Sequence, residues 1–189
     1  GVKQLIEEDF KMARMRNTWV EIDLGCIEHN FCEARKILPP NTKIAAVLKA
    51  NAYGHGAIQV ARVLIKNKVD QLAVACLTEA LELRKHFREV PILVMGYTPD
   101  EYLLVGVRNR ITLTIFSMEQ AQKISDIAGR LNEKAVVHIK IDTGLNRLGL
   151  KPGPKAVDTI VDICRLPDIN VEGIYSHLAL TTVEADQMQ

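Results

Sequence analysis

Lys43-Ile-Ala-Ala-Val-Leu-Lys49, carried by Ala50 into the turn Asn51-Ala-Tyr-Gly-His-Gly56 and then into the amphipathic stretch Ala57 to Asn67, sets the pattern of the chain. An apolar run of strand length, a turn, and apolar residues at three- and four-residue spacing make one βα step. The step recurs. Runs suited to strands lie at Thr18 to Leu24, Lys43 to Lys49, Leu72 to Cys76, Pro91 to Met95, Ile111 to Phe116, Ala135 to Ile141 and Val171 to Ser176. Helical spacing fills the gaps at Ile27 to Leu38, Ala57 to Asn67, Thr78 to Phe87, Pro99 to Val107, Ser117 to Leu131 and Pro154 to Leu166. Thr78 stands where a cap belongs, and Ser117 followed by Gln120 spells a capping box. Most strand runs are continuously apolar, which predicts a parallel sheet covered on both faces.

Thr18 to Leu24 reads as an isolated leading strand, which leaves about six βα units. A closed (β/α)8 barrel takes about 250 residues, and this chain has 189. The choice lies between an open doubly wound sheet and an incomplete barrel. No GxGxxG or Walker-type turn occurs anywhere, so the α/β class narrows to a TIM-type (β/α)8 barrel domain, present as an incomplete barrel. Residues 17–189 read as that one partial domain, and residues 1–16 as an N-terminal extension or linker.

The composition suits a globular protein, with 48% hydrophobic and 25% charged residues. A net charge of +1, from 24 basic and 23 acidic residues, supplies no field that would gather nucleic acid or an anionic membrane. The longest apolar runs, such as Ile44 to Leu48, fall far short of the roughly 20 residues that cross a bilayer. Cys26, Cys32, Cys76 and Cys164 form no CxxC pair and are expected to be small buried hydrophobes in a reducing compartment, with no metal site among them.

Ligands of parallel α/β folds lie at the carboxyl ends of the strands, so polar residues that end apolar runs draw the eye. Lys49, Lys140 and His177 are such residues. A lysine closing a buried strand is partly desolvated, which favours the free amine that condenses with an aldehyde; the plainer alternative is a stem that snorkels to solvent. Tyr53 offers a hydroxyl to a phosphate or else packs as an aromatic lid. His55 reads as a turn residue bonded to backbone. Taken alone, Lys140 reads as a surface lysine on a strand edge, Arg147 has Asp142 as a possible partner, and His177 is a satisfied strand-end histidine.

Three stretches together carry a family resemblance. Ala46-Val-Leu-Lys-Ala-Asn-Ala-Tyr-Gly-His-Gly56 is similar to the signature around the Schiff-base lysine of alanine racemases, preceded by Trp19-Val-Glu-Ile-Asp-Leu24. Val137-His-Ile-Lys-Ile-Asp-Thr-Gly-Leu-Asn-Arg-Leu-Gly149 resembles the family's KxDTGMxRxG stretch, with Leu145-Asn146 where Met-Gly is usual. Gly173-Ile-Tyr-Ser-His-Leu-Ala179 resembles the strand leading to a histidine beside the cofactor ring. The match runs from about Asn17 to about Ala179.

The resemblance implies a pyridoxal 5'-phosphate enzyme that interconverts L- and D-alanine. Lys49 would carry the cofactor as an imine and serve as one catalytic base. Tyr53 would bond its phosphate, Arg147 would reach its phenolic oxygen and the substrate carboxylate, and His177 would lie against its ring. Lys140 matches a position that is often carbamylated, whose anionic carbamate holds the arginine. The second base would be a tyrosine from the C-terminal β-domain of the other subunit of a homodimer, a position outside this chain, so the piece alone is expected to be inactive. The protein is expected in the cytoplasm, or as a cytoplasmic domain of a membrane-anchored racemase. Serine and broad-specificity racemases share the motifs and form the nearest alternative. A metal-dependent barrel hydrolase, with Lys140 and His177 as ligands, and a non-catalytic pyridoxal-phosphate-binding protein are the more distant ones.

Overall fold

A computed structural model describes residues 18–179. The expected N-terminal extension, residues 1–16, lies outside them. Six parallel strands form one sheet: β1 (Ala45–Val47), β2 (Gln71–Val74), β3 (Ile92–Val94), β4 (Thr112–Ile115), β5 (Ala135–Ile141) and β6 (Ile169–Ser176). The helices are α1 (Leu24–Ile37), α2 (Ala57–Lys66), α3 (Leu77–His86), α4 (Leu103–Arg108), α5 (Met118–Leu131) and α6 (Pro154–Cys164), with a 3-10 turn at Asp100–Tyr102 ahead of α4.

Strand order settles the architecture. Each strand pairs with the next in sequence, from β1 through to β6. A doubly wound sheet reverses its order at a switch point, and this one never does. It is an incomplete TIM-type barrel, as the sequence predicts.

Between sheet and helices lies the core, where Leu72, Val74, Ile92, Val94, Leu113, Ile115, Val137 and Ile139 meet Ala61, Leu83, Leu103, Ile124 and Ile163. The three middle strands, β2 to β4, are buried along nearly their whole length. Coverage of both faces fails at the two edges: Ala45 and Val47 of β1 and Ile174 of β6 are exposed. An edge strand in this arc lacks a neighbour on one side, so its alternate side chains lose cover.

Several local expectations give way to stronger local chemistry. Residues 18–23 form no strand, and Trp19 and Val20 are exposed. They pair with no strand among the described residues, and Asp23 then starts α1, its Oδ1 accepting from the Gly25 and Cys26 amides at 2.8 and 3.2 Å. Thr78 is not a cap; the N-cap of α3 is Cys76, and Glu79 takes the amide of Ala75 instead. Ser117 does cap α5 through the Gln120 amide, but the Gln120 side chain donates to the Thr98 carbonyl rather than closing a capping box. The cysteines are not core residues: Cys26, Cys76 and Cys164 are exposed and Cys32 is half-buried, all free on helix surfaces or ends. Among the described residues no helix is long and apolar enough to cross a membrane.

Candidate active site

The chain leaves β1 at Val47 and immediately does something L-residues avoid. Ala50, Asn51, Ala52 and Tyr53 have φ of 51°, 54°, 54° and 54°, one turn of left-handed helix over Lys49–Tyr53. Each such residue costs roughly 1–2 kcal/mol, so the turn persists only because its surroundings fix it. The Ala52 amide donates to the Leu48 carbonyl and the Gly54 amide to that of Ala50. Asn51 Oδ1 accepts from the Ala57 amide at 2.8 Å, and Glu79 Oε1 from the Ala50 amide at 2.7 Å. His55 is the turn residue expected, its Nδ1 2.8 Å from the Ala52 carbonyl.

The turn presents Lys49 and Tyr53 on the same side, with Lys49 Nζ 5.8 Å from the centre of the Tyr53 ring. Lys49 is half-buried rather than at the tip of a buried strand, because β1 is an edge. Tyr53 is 60% exposed, so it is no packed lid and its hydroxyl is free to meet a ligand.

Lys140 tells the opposite story. On β5 it alternates with outward-facing Val137 and Ile139 and therefore points into the barrel, where it is only 4% exposed. It is not the surface lysine that the strand alone suggested. Burial pushes its ammonium below the ordinary lysine value, and the charges of Arg147 and Lys49 add to that against the opposing pull of Asp142. Its Nζ sits 5.5 Å from the centre of the Tyr175 ring.

The loop after β5 brings Arg147 to the same place. Asp142 Oδ1 accepts from the Gly144 and Asn146 amides at 3.2 and 2.9 Å, so it shapes the turn instead of pairing with Arg147. The chain then loops round to lie parallel beside the end of β5: the Leu150 amide donates to the Lys140 carbonyl and that of Asp142 to the Leu150 carbonyl. Gly149 permits this return, since a Cβ there would stand 2.5 Å from the Asp142 nitrogen. Asn146 takes φ 53°, a conformation that Asn tolerates better than most residues.

Lys49, Tyr53, Lys140, Arg147 and His177 all line one cavity of about 300 Å³, with Val47, Ala75, Met95, Gly96, Leu148 and Tyr175 completing the wall. These are the five residues that the sequence put forward for the site. Tyr175 was not singled out, yet its hydroxyl spans the interior, 2.8 Å from Thr114 Oγ1 and donating to the Met95 carbonyl at 3.1 Å. Alternation from His177 would have found it, because residues two apart on a strand share a face. Burial raises its phenol above the ordinary value, against the Thr114 hydrogen bond and the Arg147 charge.

The lining holds three cationic side chains and neither an Asp nor a Glu. That donor set fits an anionic ligand of small size, and an amine beside it fits one that carries an aldehyde. The volume lies at the small end for ligand sites.

Fold and site together define a partial TIM-type barrel domain with a small, cation-lined cavity at the carboxyl ends of its strands. The chain belongs to the family described as "Alanine racemase, N-terminal domain", whose model matches residues 22–189; that family works with pyridoxal phosphate. It is 49% identical over 161 residues to the alanine racemase of Methanococcus maripaludis, covering 85% of this chain and 43% of that one. With the alanine racemase of Desulforamulus reducens the identity is 44% over 169 residues, covering 89% and 45%. A solved alanine racemase of Clostridium difficile, in complex with cycloserine, superposes with a TM-score of 0.85 at 45% identity, over 87% of this chain and 45% of that one. The chain thus spans a little under half the length of the relatives it matches.

Proposed function

We propose that the full-length protein racemises alanine with pyridoxal phosphate held at Lys49, and that this chain supplies the cofactor cavity and one of two acid/base groups. The observation that carries the reading is the convergence of Lys49, Lys140 and Arg147 with Tyr53 and His177 at the carboxyl end of a parallel sheet. When bound, pyridoxal phosphate supplies an electron sink for the pair left on the substrate's α-carbon as its proton departs.

The side chains of this chain divide the remaining work. Lys49 would hold the cofactor, and its amine would take or return the α-proton on one face. Tyr53 would offer its hydroxyl to the phosphate, and His177 would flank the ring. Arg147 holds the substrate carboxylate, a pairing that its planar fork suits better than an ammonium does. Lys140, buried and shifted toward the neutral amine, attacks carbon dioxide; the new N–C bond leaves a carbamate and releases a proton to water. Its negative charge then attracts Arg147 where an ammonium would repel it. The opposite face of the substrate is served by the partner subunit of a homodimer, and the protein works in the cytoplasm.

Reduction of the full-length protein with borohydride in the presence of pyridoxal phosphate, followed by peptide mapping, tests the reading. The adduct is expected on Lys49, with L- to D-alanine exchange faster than that of L-serine. Both adduct and exchange should vanish in Lys49→Ala. An adduct at another lysine, or exchange that survives the substitution, overturns it.

A further inference from the structure

A left-handed turn in which Asn51 alone tolerates the conformation readily has little support in its own sequence, so contacts from outside must help to impose it. Glu79 does so from the first turn of α3. Its Oε1 accepts from the Ala50 amide at 2.7 Å and its Oε2 from the Ala75 amide at 2.8 Å. In an ordinary capping box the glutamate at this place returns to the amide of its own N-cap, here Cys76. Glu79 passes over that amide and bridges instead the segments that follow β1 and β2, two paired strands. The bridge lands on the residue directly after Lys49, and the strained run begins there.

We propose that Glu79 is a positioning residue, which fixes the direction in which Lys49 and Tyr53 leave the backbone; the proposal rests on reading Lys49 as the cofactor lysine. A pinned Ala50 amide sets the plane of the peptide that leaves Lys49, and the rigid turn carries that setting on to Tyr53. The carboxylate is needed because both of its targets are donors. Glutamine has one acceptor oxygen and would turn its NH2 toward the other N–H. Aspartate is one methylene shorter and cannot span both amides. Neither substitution reproduces the bridge.

The test compares the full-length wild type with Glu79→Gln and with Glu82→Gln, a control of equal charge change on the same helix whose carboxylate meets Lys85 at the surface. Two readouts are taken. Amide hydrogen exchange of the apo protein follows the segment from Lys49 to Gly54, and borohydride trapping gives the ratio of Lys49-linked to total bound pyridoxal phosphate. Loss of a charge-assisted bond, with an amide left facing a donor, predicts exchange about tenfold to about a hundredfold faster in that segment for Glu79→Gln. The sheet should keep its protection. The linked-to-bound ratio should fall about tenfold by the same conversion, while Glu82→Gln stays near wild type in both. A general loss of packing would weaken cofactor binding without changing that ratio. Unchanged exchange in the segment, an unchanged ratio, or equal effects from Glu82→Gln overturns the proposal. A wild type that links no cofactor at Lys49 overturns the reading beneath it, and exchange alone then judges whether Glu79 holds the turn.

Discussion

Tyr175→Phe removes one oxygen atom from the cavity wall and nothing else. That oxygen takes a hydrogen bond from Thr114 at 2.8 Å and gives one to the Met95 carbonyl at 3.1 Å, tying β6 to β4 and to the end of β3. Thr114 is wholly buried, so its hydroxyl keeps no ready alternative partner. A buried group stripped of its partner costs about 1–3 kcal/mol. For a protein of this size or somewhat larger, each kcal/mol moves the melting temperature by roughly 2–4 °C. The variant should therefore melt about 2–12 °C below wild type. Its ring still meets Lys140 Nζ and the edge of His138, so affinity for pyridoxal phosphate should change by less than about tenfold, one hydrogen bond's worth. Thermal melts of wild type, Tyr175→Phe, Thr114→Val and the double variant measure this, with the coupling expected at about 0.5–3 kcal/mol. Strictly additive single effects, or a Tyr175→Phe variant that melts with wild type, would show that the hydroxyl bridge does not hold the barrel interior together.

Two further outcomes follow from the same cavity. Burial, with Arg147 and Lys49 nearby, lowers the Lys140 ammonium, so between its folded value and the ordinary lysine value the unfolded chain binds more protons. Stability of the carbon-dioxide-free protein should then rise with pH across that window, and Lys140→Met should flatten the rise and be the more stable protein at neutral pH; parallel denaturation curves for the two would refute it. Gly96 lines the cavity where a Cβ would stand 2.4 Å from the Ala75 carbonyl oxygen. Gly96→Ala should push the ends of β2 and β3 apart, cost about 1–3 kcal/mol and weaken cofactor binding measured by fluorescence, an account that unaltered melting and binding would contradict.

The alternation of apolar runs and helical spacing made the barrel readable, because each strand buries one face against a helix and that periodicity is written in the residues. Polar residues at run ends marked Lys49, Lys140 and His177 for the same reason. What stayed hidden depends on contacts between distant segments. Little in Ala50-Asn-Ala-Tyr53 announces a left-handed turn, since one of the contacts that hold it comes from Glu79, 29 residues away. Exposure of β1 was hidden because a run such as Ile44 to Leu48 looks the same at an edge as at the centre of a sheet. The cysteines misled because a preference for burial is a tendency of the residue type, whereas helix phase turned Cys26 and Cys164 outward and Cys76 stands exposed at the N-cap of α3. At Thr18 to Leu24, the apolar alternation meets no partner strand among the described residues, and Asp23 caps α1 instead.

The cavity also says something about why this barrel carries the charges it does. Lys49, Lys140 and Arg147 line one small space without a carboxylate among them, and Lys140 is driven toward neutrality by that company and by burial. Such an arrangement lowers the stability of the empty protein at Lys140, whose buried ammonium faces the like charges of half-buried Lys49 and exposed Arg147. It becomes favourable only when negative charge enters, whether from a phosphate ester, a substrate carboxylate or a carbamate on Lys140 itself. A ligand that binds the folded state alone adds about 2.7 kcal/mol at a hundred times its dissociation constant. The same residues that strain the empty fold therefore make stability conditional on the anion, and a side-chain set chosen for packing alone would have paired at least one of those cations with an acid.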